Sequence, residues 1–510
     1  MSDARLSFVV GLTDHEQSEA LNVLTSTTIR IMMGDDASAS RSGQVLTIQL
    51  AALCIRLFDR VVIDGNAEQA THPDVLLIQG PFVAALSEYL KKIRPLDPRD
   101  GQREFTVAVG NVSRSADVYL GSTGWCATVS LDTAQSVYDT VNTIGALAAG
   151  TLGASEVFKS VFQRKLRGSV RRSYTLSLLD YSSVPANKGE PELETDLEFD
   201  ATLFGCGSIG FGFLQALILG PKSSGKLNLV DNGKFDLKNP FKYSLLDFET
   251  AAQAPYKSQW ARDQMRQYVR QIDTEAFVGT AQEFVAFLPP SYKLPIALSA
   301  VDTVEGRVEV QDTLPRIVIN AGITGTTAEV SFHAFGDGPC LACIGLDTAH
   351  ESWDPYPIAE ATGLSPARVL ALIEGNLRMT PQDIDCIRHT RRLNADTMKS
   401  LDEYLDQPIL SLWNRVVYSE VSLQTGEGQE VRVTTAFVSA FAGLLLYAEL
   451  VKQASPTLRD FWVNNSYRQE LIGVPAEDQF RYPRDDRGWC LCHSSFRQMI
   501  YRNKYGSPTG

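Results

Sequence analysis

A glycine-rich loop places the strongest constraint on what this chain can fold into. The loop, Gly205-Cys-Gly207-Ser-Ile-Gly210, lies between a strand-like and a helix-like segment, and a second strand-like segment after the helix ends in Asp231. This order predicts a Rossmann-like nucleotide-binding fold. In such a fold the first glycine makes the tight turn, the second lets the backbone approach phosphate, and the third lets the helix pack on the sheet. Helix N-terminal amides then face phosphate, and Asp231 accepts from ribose hydroxyls. The motif alone does not separate NAD from ATP.

Segments that recur at fixed offsets indicate an internal duplication. Residues 121–130 and 322–331 share six of ten residues. Residues 149–159 and 442–452 share five, have apolar residues at helical spacing, and carry small residues that would let another backbone approach closely. Because the offset grows along the chain, we expect an insertion in the second copy, mostly after residue 340.

The first copy retains only part of the nucleotide-binding pattern. Its segment 61–64 aligns with 228–231, so the acidic end of the second strand is kept. The same offset places Ser38, Ser40 and Gly43 on the three loop glycines. Since two of the three glycines are then missing, we predict one inactive and one active copy of the domain.

Four residues beyond the loop extend the pattern of the second copy. They are Asn239, Lys242, Lys257 and Asp302. Together with the Gly322 segment, they form a pattern that resembles the ThiF/MoeB and ubiquitin-activating superfamily of adenylating enzymes. The resemblance covers roughly residues 198–345 and 430–495, and it extends more weakly to the first half. The resemblance implies that Asn239, Lys242 and Lys257 hold the phosphates of ATP and that Asp302 holds Mg²⁺. Adenylation attacks the α-phosphate and expels pyrophosphate, so cations and a metal must absorb the developing charge.

Two positions depart from the usual residues of that superfamily. A second acid usually stands two residues after the first, where this chain has Gly233, and an arginine usually stands where it has Lys242. A lysine neutralises negative charge but cannot form the bidentate hydrogen bonds to two oxygens that a guanidinium forms. The departures bear on the fine geometry of the site.

Two cysteine pairs far apart in the sequence predict a structural zinc site. They are Cys340-Leu-Ala-Cys343 and Cys490-Leu-Cys492, the latter followed by His493. Zinc-containing members of the superfamily carry one pair after the glycine-rich segment and one near the end of the domain, although the second is usually CxxC. We expect four cysteine ligands, and a Cys₃His set that includes His493 stays open. The metal would staple the C-terminal segment to the active domain.

An insertion between the cysteine pairs, residues 347–430, carries the predicted thioester-forming residue. Its segment Pro381-Gln-Asp-Ile-Asp-Cys386 loosely resembles the surroundings of the catalytic cysteine in ubiquitin-type activating enzymes, although isoleucine stands where a threonine usually follows. Only a thiolate attacks an acyl-adenylate. Arg388, His389 and a position in the first turn of a helix would each favour the thiolate.

Composition and charge exclude several classes of protein. The chain has 510 residues and a net charge of −13, which would be repelled by nucleic acid and by anionic membranes. We find no secretory signal and no uncharged apolar stretch of about eighteen residues, and therefore expect a cytoplasmic protein. Cys54, Cys126 and Cys206 stand in apolar or glycine-rich surroundings and are predicted to be packing residues.

These features predict an α/β protein with two Rossmann-like adenylation-type domains and a helical catalytic-cysteine insertion. The predicted parts are an inactive domain (1–181), a linker (182–197), an active domain (198–346 and 431–510) and the insertion (347–430). The duplication implies an internal pseudo-dimer, in which the first half substitutes for a second subunit.

The predicted function is ATP-dependent activation of a ubiquitin-like protein. Its C-terminal carboxylate becomes an acyl-adenylate, Cys386 takes the acyl group as a thioester, and the cysteine of a conjugating enzyme takes it away. The whole resembles the activating enzyme of bacterial ubiquitin-like (Bil-type) conjugation operons, which act in antiphage defence. The alternatives are a sulfur-carrier-protein adenylyltransferase, which needs neither the insertion nor Cys386, and a non-catalytic scaffold that binds a ubiquitin-like protein. An NAD oxidoreductase is a more distant alternative.

Overall fold

A computed structural model describes most of the chain, and the structural statements that follow concern those residues. They are 4–13, 15–94, 103–163, 166, 169–183, 191, 193, 197–335, 338–348, 358–359, 362–374, 377–390, 398, 401–407, 409, 412, 423–424, 430–431, 435–461, 465–473, 478–485, 488 and 490–506. Most of the predicted linker, 182–197, and much of the predicted insertion, 347–430, lie outside them.

The first half folds around one six-stranded sheet. Its strands are β1 (Thr27–Met33), β2 (Arg60–Asp64), β3 (Arg103–Val109), β4 (Val118–Thr123), β5 (Cys126–Ser130) and β6 (Tyr174–Ser177). They lie in the order β2-β1-β3-β4-β5-β6, with β1 to β4 parallel and β5 and β6 antiparallel. The helices are α1 (Ala4–Leu12), α2 (Gln17–Ser26), α3 (Asp35–Ala39), α4 (Arg41–Leu57), α5 (Phe82–Ile93) and α6 (Ile144–Phe162).

The second half folds around an eight-stranded sheet. Its strands are β7 (Leu197–Phe204), β8 (Ser223–Val230), β9 (Ile272–Phe277), β10 (Ile296–Ser299), β11 (Ile317–Thr324), β12 (Thr327–Ala334), β15 (Ser466–Glu470) and β16 (Asp478–Phe480), in the order β16-β15-β12-β11-β10-β7-β8-β9. The helices on this sheet are α7 (Ser208–Leu219), α8 (Phe248–Gln253), α9 (Lys257–Tyr268), α10 (Ala281–Phe287), α11 (Val304–Asp312), α12 (Leu341–Thr348), α15 (Ala436–Ala454) and α16 (Ser495–Tyr505). The strands β7 to β11 are parallel, and the central strands β10 and β11 are largely apolar and buried, which is typical of strands covered by helices on both faces.

The two sheets share one topology, which confirms the predicted duplication. Without the edge strands β9 and β16, the second sheet reads β8-β7-β10-β11-β12-β15 and repeats the order and strand directions of the first. Two buried helices of nineteen residues, α6 and α15, repeat as well. Each contains a buried ion pair at corresponding positions, Glu156 with Lys159 and Glu449 with Lys452.

Small residues on α6 and α15 allow close helix packing, as the sequence predicts. A Cβ atom added at Gly150 of α6 would lie 2.6 Å from the carbonyl oxygen of Leu46 on α4. A Cβ atom added at Gly443 of α15 would lie 2.3 Å from the amide nitrogen of Phe213 on α7. The backbones of each helix pair therefore touch where the glycine stands.

Among the helices of the described residues, α15 alone is long and apolar enough to cross a membrane. Of its most apolar eighteen-residue stretch, 94% is buried within the fold. It packs against α7, β11, β12 and α6, between the two sheets. Its apolar character therefore reflects a position in the core.

The two halves share a continuous core. One hydrophobic cluster extends from Val9 to Ile472 and includes both sheets. Buried polar contacts cross between the halves, such as the hydroxyl of Thr143 donating to the carbonyl of Leu219 at 2.9 Å and the ammonium of Lys452 donating to the carbonyl of Leu179 at 2.8 Å. The two halves are thus packed against each other through buried apolar and polar contacts.

The described part of the insertion has a small apolar cluster of its own. It contains the helices α13 (Pro366–Glu374) and α14 (Pro381–Thr390) and the short strands β13 (Leu423–Gln424) and β14 (Glu430–Val431). Arg368 of α13 donates two hydrogen bonds, of 2.9 and 2.8 Å, to the carboxylate of Asp383 on α14. The hydrogen bond from Arg368 lowers the pKa of Asp383 to about 2, so the two helices stay paired at any physiological pH.

Candidate active site

A cavity of about 540 Å³ opens at the carboxyl ends of the parallel strands of the second sheet. This edge is where open parallel sheets bind their ligands, because helix N-termini and loops converge there. Six of the eight predicted nucleotide-binding residues line it, namely Gly205, Gly207, Asp231, Lys242, Lys257 and Asp302. Residues that are far apart in the sequence therefore meet at one site.

The three glycines of the loop occupy three different environments. Gly205 has a φ of +96°, and an added Cβ would lie 2.7 Å from the carbonyl oxygen of Ala300. Gly207 is the N-cap of α7, and an added Cβ there would meet nothing closer than the hydroxyl of Tyr243 at 4.0 Å. Gly210 does not line the cavity but lies beneath the loop, where an added Cβ would be 2.3 Å from the carbonyl oxygen of Gly205.

Replacing Gly205 or Gly207 with alanine is expected to affect two different properties, stability in the first case and ATP binding in the second. Gly205→Ala should destabilise the protein by about 1–3 kcal/mol, because alanine is strained at positive φ and its Cβ meets a carbonyl. Gly207→Ala should leave the melting temperature nearly unchanged but weaken ATP binding, since its methyl group points into the cavity. Thermal unfolding and equilibrium nucleotide binding of the two variants measure this contrast. Equal loss of stability in both would contradict it.

Asp231 is held at the end of β8 by two backbone amides. The N–H of Cys206 donates to Oδ2 at 2.7 Å, and the N–H of Gly233 donates to Oδ1 at 2.7 Å. Each carboxylate oxygen keeps a lone pair for a ribose hydroxyl. A Cβ atom on Gly233 would lie 3.1 Å from Nζ of Lys257, so the missing second acid leaves room for that ammonium beside Asp231.

Two lysines supply positive charge to the cavity. Burial by itself lowers the pKa of Lys257, but Tyr243 and Asp231 more than offset this and hold its pKa above the usual value. Burial lowers the pKa of Lys242, and repulsion from Lys257 adds to the effect while Asp236 opposes it. Two partly desolvated cations around one cavity make an anion site, and a triphosphate would relieve their mutual repulsion.

Asn239 is buried just outside the cavity. Its side-chain amide donates to Oδ1 of Asp236 at 3.0 Å, and its side-chain oxygen accepts from the N–H of Asp236 at 3.1 Å. Its carbonyl accepts from the amides of Lys242 and Tyr243, both at 2.9 Å. In this structure Asn239 shapes the turn that presents Lys242, and its direct contact with phosphate stays a prediction.

The other residues that line the cavity include Tyr243, Thr280 and Arg307. Tyr243 lies under Lys257, whose Nζ is 5.5 Å from the ring centroid. Thr280 is the N-cap of α10 and closely follows the end of β9. Its place after the carboxyl end of a parallel strand could have identified it as a residue of the site. No local pattern indicates that Tyr243 faces the site, because its contact with Lys257 joins two separate elements.

The corresponding region of the first half is filled by the protein itself. Gly34 follows β1 and the helix α3 comes next, so the alignment of Ser38 with the first loop glycine is wrong: Ser38 lies within α3. Ser40 and Gly43 do occupy the N-cap and third helical positions of α4, as Gly207 and Gly210 do in α7. A Cβ atom on Gly43 would lie 2.2 Å from the carbonyl oxygen of Ala37.

The retained acid of the first half is neutralised. Asp64 at the end of β2 forms an ion pair with Arg30 of β1, with Nη1 2.9 Å from Oδ2. The helix α3 covers the start of α4, where phosphate would bind to a nucleotide-binding copy of the fold. These features agree with the predicted inactivity of this half.

The four predicted zinc ligands lie together and are buried. Their sulfur atoms, those of Cys340, Cys343, Cys490 and Cys492, all lie within 4.8 Å of one another. The separations are 3.0 Å between Cys340 and Cys490, 3.3 Å between Cys343 and Cys490, and 3.7 Å between Cys343 and Cys492. Tetrahedral zinc with four thiolates would separate them by about 3.8 Å, so the donor set fits zinc after a small expansion.

His493 lies beside this centre and faces away from it. Its Nε2 contacts the backbone carbonyl of Asp485. The centre therefore consists of cysteines, which favours four sulfur ligands over the Cys₃His alternative. The cysteine centre joins the start of α12 to the turn before α16. Beside this centre, Arg497 of α16 contacts Asp312 of α11, with Nη2 of Arg497 3.0 Å from Oδ2 of Asp312.

Loss of a cysteine from this centre is expected to release the metal. Cys492→Ser should bind clearly less than one equivalent of zinc and melt about 5–10 °C lower, which corresponds to roughly 2–3 kcal/mol in a domain of this size. The matched variant His493→Gln should retain one full equivalent. Metal content of the purified proteins and thermal unfolding measure both. Zinc loss in His493→Gln alone would reverse the ligand assignment.

Cys386 is exposed on α14, whereas the other seven cysteines are buried. It is the sixth residue of that helix, so the predicted position in the first turn is wrong and the helix dipole contributes little. Arg388 pairs with Asp385 and Asp402, and His389 contacts the carbonyl oxygen of Asp385. The two basic neighbours are therefore directed at other groups in this conformation.

Comparison with known proteins agrees with these features. The ThiF family profile matches residues 181–481, more than half of the chain, and the BilD N-terminal domain profile matches residues 28–178. An uncharacterized protein of Sinorhizobium fredii, y4jF, is 28% identical over 525 residues, which cover 97% of this chain and 95% of y4jF.

Among solved structures, Escherichia coli MccB is 12% identical, with a TM-score of 0.34 over 59% of this chain and 65% of MccB. MccB with ATP gives a TM-score of 0.33 at 12% identity, over 58% of this chain and 67% of that one. This chain thus spans about two thirds of the length of MccB.

Proposed function

Because this chain belongs to the ThiF family, we propose that it uses ATP to activate the C-terminus of a ubiquitin-like protein. The family supports adenylyltransferase-type activation chemistry, in which a carboxylate is joined to AMP. One observation carries the proposal: the glycine loop, an amide-held acid, two lysines and a further acid meet in a single cavity. The N-terminal match to BilD supports a function in a Bil-type conjugation system.

In the first step, a carboxylate oxygen attacks the α-phosphorus of ATP, the bond to the bridging oxygen breaks, and pyrophosphate leaves. The amides at the start of α7 face the phosphates, and Lys242 and Lys257 offset the charge that builds on the leaving group. Asp231 holds the ribose. Mg²⁺, when bound, supplies a further positive charge to the phosphates, and the exposed carboxylate of Asp302 is the group that would hold it.

In the second step, the thiolate of Cys386 attacks the carbonyl carbon of the acyl-adenylate, AMP leaves, and a thioester forms. A cysteine of the conjugating enzyme then takes the acyl group by thioester exchange, which frees Cys386. Support comes from the exposure of this thiol and from its location on an insertion with a separate apolar cluster. The insertion is attached beside the zinc centre, because Cys340 directly precedes α12, Cys343 lies within it, and α12 leads into the insertion.

The first half is proposed to substitute for a second subunit. It repeats the fold, shares the core, and fills its own nucleotide position with α3. We propose that the protein acts in the cytoplasm as an internal pseudo-dimer, with a ubiquitin-like protein and a conjugating enzyme as partners.

The decisive experiment incubates the purified protein with ATP, Mg²⁺ and a ubiquitin-like protein of a Bil-type conjugation system. ATP–pyrophosphate exchange that depends on the small protein, together with a thiol-sensitive covalent adduct, is the expected result. Exchange without an adduct would instead indicate a sulfur-carrier adenylyltransferase. The absence of both would indicate a binding scaffold and overturn the proposal.

A further inference from the structure

The segment 240–246 presents Lys242 and Tyr243 to the cavity with little regular structure of its own. Only the short 3₁₀ turn Asn239–Phe241 precedes Lys242. A buried segment outside helices and strands must satisfy its carbonyl oxygens in another way. The partners of these carbonyls therefore decide how well the two side chains are placed.

Arg56, on α4 of the first half, supplies those partners across the interface. Its side chain is buried, with 1% of the residue exposed. Nη1 donates to the carbonyls of Pro240 and of Leu246, the latter at 3.0 Å, and Nη2 donates to the carbonyl of Ser244. Burial lowers the pKa of Arg56 to about 10, so it stays positive at neutral pH. The three carbonyls bracket Lys242 and Tyr243 in the chain.

Two more arginines of the first half meet the same segment. The guanidinium carbons of Arg5 and Arg94 each lie 6.0 Å from the ring centroid of Phe241. Asp59 holds both guanidinium groups, with Oδ1 2.5 Å from each. The contacts of Arg56 are thus part of a surface on the first half that receives this one segment.

We propose that Arg56 is a positioning residue of the nucleotide site, supplied by the first half, which fixes segment 240–246 so that Lys242 and Tyr243 are held against ATP. The first half then acts on the reaction through this contact as well as through its share of the core. The kinetic consequence rests on the proposed function, whereas the ordering of the segment does not.

The test compares Arg56→Lys and Arg56→Met with Arg41→Lys. Arg41 is a matched control, because it is buried on the same helix and donates across the same interface, to the carbonyl of Gly220 at 2.5 Å, outside the cavity lining. A lysine has a single ammonium group and cannot donate to all three carbonyls, as the spread N–H groups of the Arg56 guanidinium do. We expect the Arg56 variants to raise the KM for ATP in pyrophosphate exchange about 10- to 100-fold, and Arg41→Lys to stay within about twofold.

Hydrogen–deuterium exchange provides the second measurement. The amides of residues 240–246 should lose protection in Arg56→Lys and keep it in Arg41→Lys, with the other peptides unchanged. A KM for ATP within about twofold of that of the unmodified protein, or unchanged protection of the segment, would overturn the proposal. If Arg56→Met does not fold, Arg56→Lys carries both measurements. If the unmodified protein shows no pyrophosphate exchange, the proposed function fails, and the protection of the segment still decides the role of Arg56.

Discussion

Replacing Lys257 with methionine is expected to slow ATP–pyrophosphate exchange about 10²- to 10³-fold while the protein stays folded. This magnitude is typical of removing one preorganised positive or hydrogen-bonding group from a partly desolvated site. The ammonium of Lys257 lies beside Asp231, in the space left by Gly233, and Tyr243 and Asp231 together hold its pKa above the usual value. It is therefore fully charged at neutral pH, and methionine keeps most of its volume without the charge.

The matched control for this variant is Lys234→Met. Lys234 comes from the same loop, but its Nζ lies over the ring of Tyr256, 4.6 Å from the centroid, and it does not line the cavity. We expect Lys234→Met to exchange pyrophosphate at nearly the unmodified rate. Initial rates at saturating substrates measure both variants. Retention of more than a tenth of the activity by Lys257→Met would show that its charge does not act in the adenylation step.

Replacing Cys386 with serine is expected to abolish the thiol-sensitive adduct completely and to leave pyrophosphate exchange within about twofold of the unmodified rate. The reason is that the adenylate forms in the cavity of the second sheet, whereas Cys386 lies on α14 of the insertion. A serine hydroxyl has no accessible anion at neutral pH and attacks an acyl-adenylate far more slowly than a thiolate does. Non-reducing electrophoresis with and without added thiol detects the adduct.

The control for this experiment is Cys54→Ala. Cys54 is buried on α4, and burial raises its thiol pKa well above the usual range, so it cannot serve as the acceptor. Cys54→Ala should form the adduct in full. An adduct that persists in Cys386→Ser would assign the thioester to another residue. Loss of pyrophosphate exchange in Cys386→Ser would instead assign Cys386 to the adenylation step.

Local sequence patterns predicted the parts of the site that depend on short stretches of chain. The glycine loop, the acid at the end of β8 and the CxxC pair each combine a backbone requirement with a side-chain requirement inside a few residues. The turn after β7 needs a residue at positive φ, and glycine meets that need at Gly205. Such requirements can be recognised without knowing what the rest of the chain does.

Alignment by a single offset failed where the chain inserts structure of its own. A single offset aligns Ser38 with the first loop glycine, but α3 adds residues between β1 and α4, and these fill the space that a nucleotide would need. The sequence predicts Cys386 in the first turn of a helix, but α14 already begins at Pro381. In both cases the deciding factor is where a helix starts, which depends on packing around it as well as on the local sequence.

The amino-acid sequence by itself determined the duplicated α/β fold, the nucleotide-binding loop and the residues that can hold phosphate or metal, because periodicity, glycine spacing and paired cysteines are local or repeated properties. Tertiary structure alone decided which residues share the cavity, that four sulfur atoms meet while His493 faces elsewhere, and that Arg56 of the first half holds the segment presenting Lys242. These contacts join positions far apart in the chain, such as Arg56 and Leu246, and no local pattern encodes such a distance. The contacts of Arg56 exist because two copies of one fold bury a common interface.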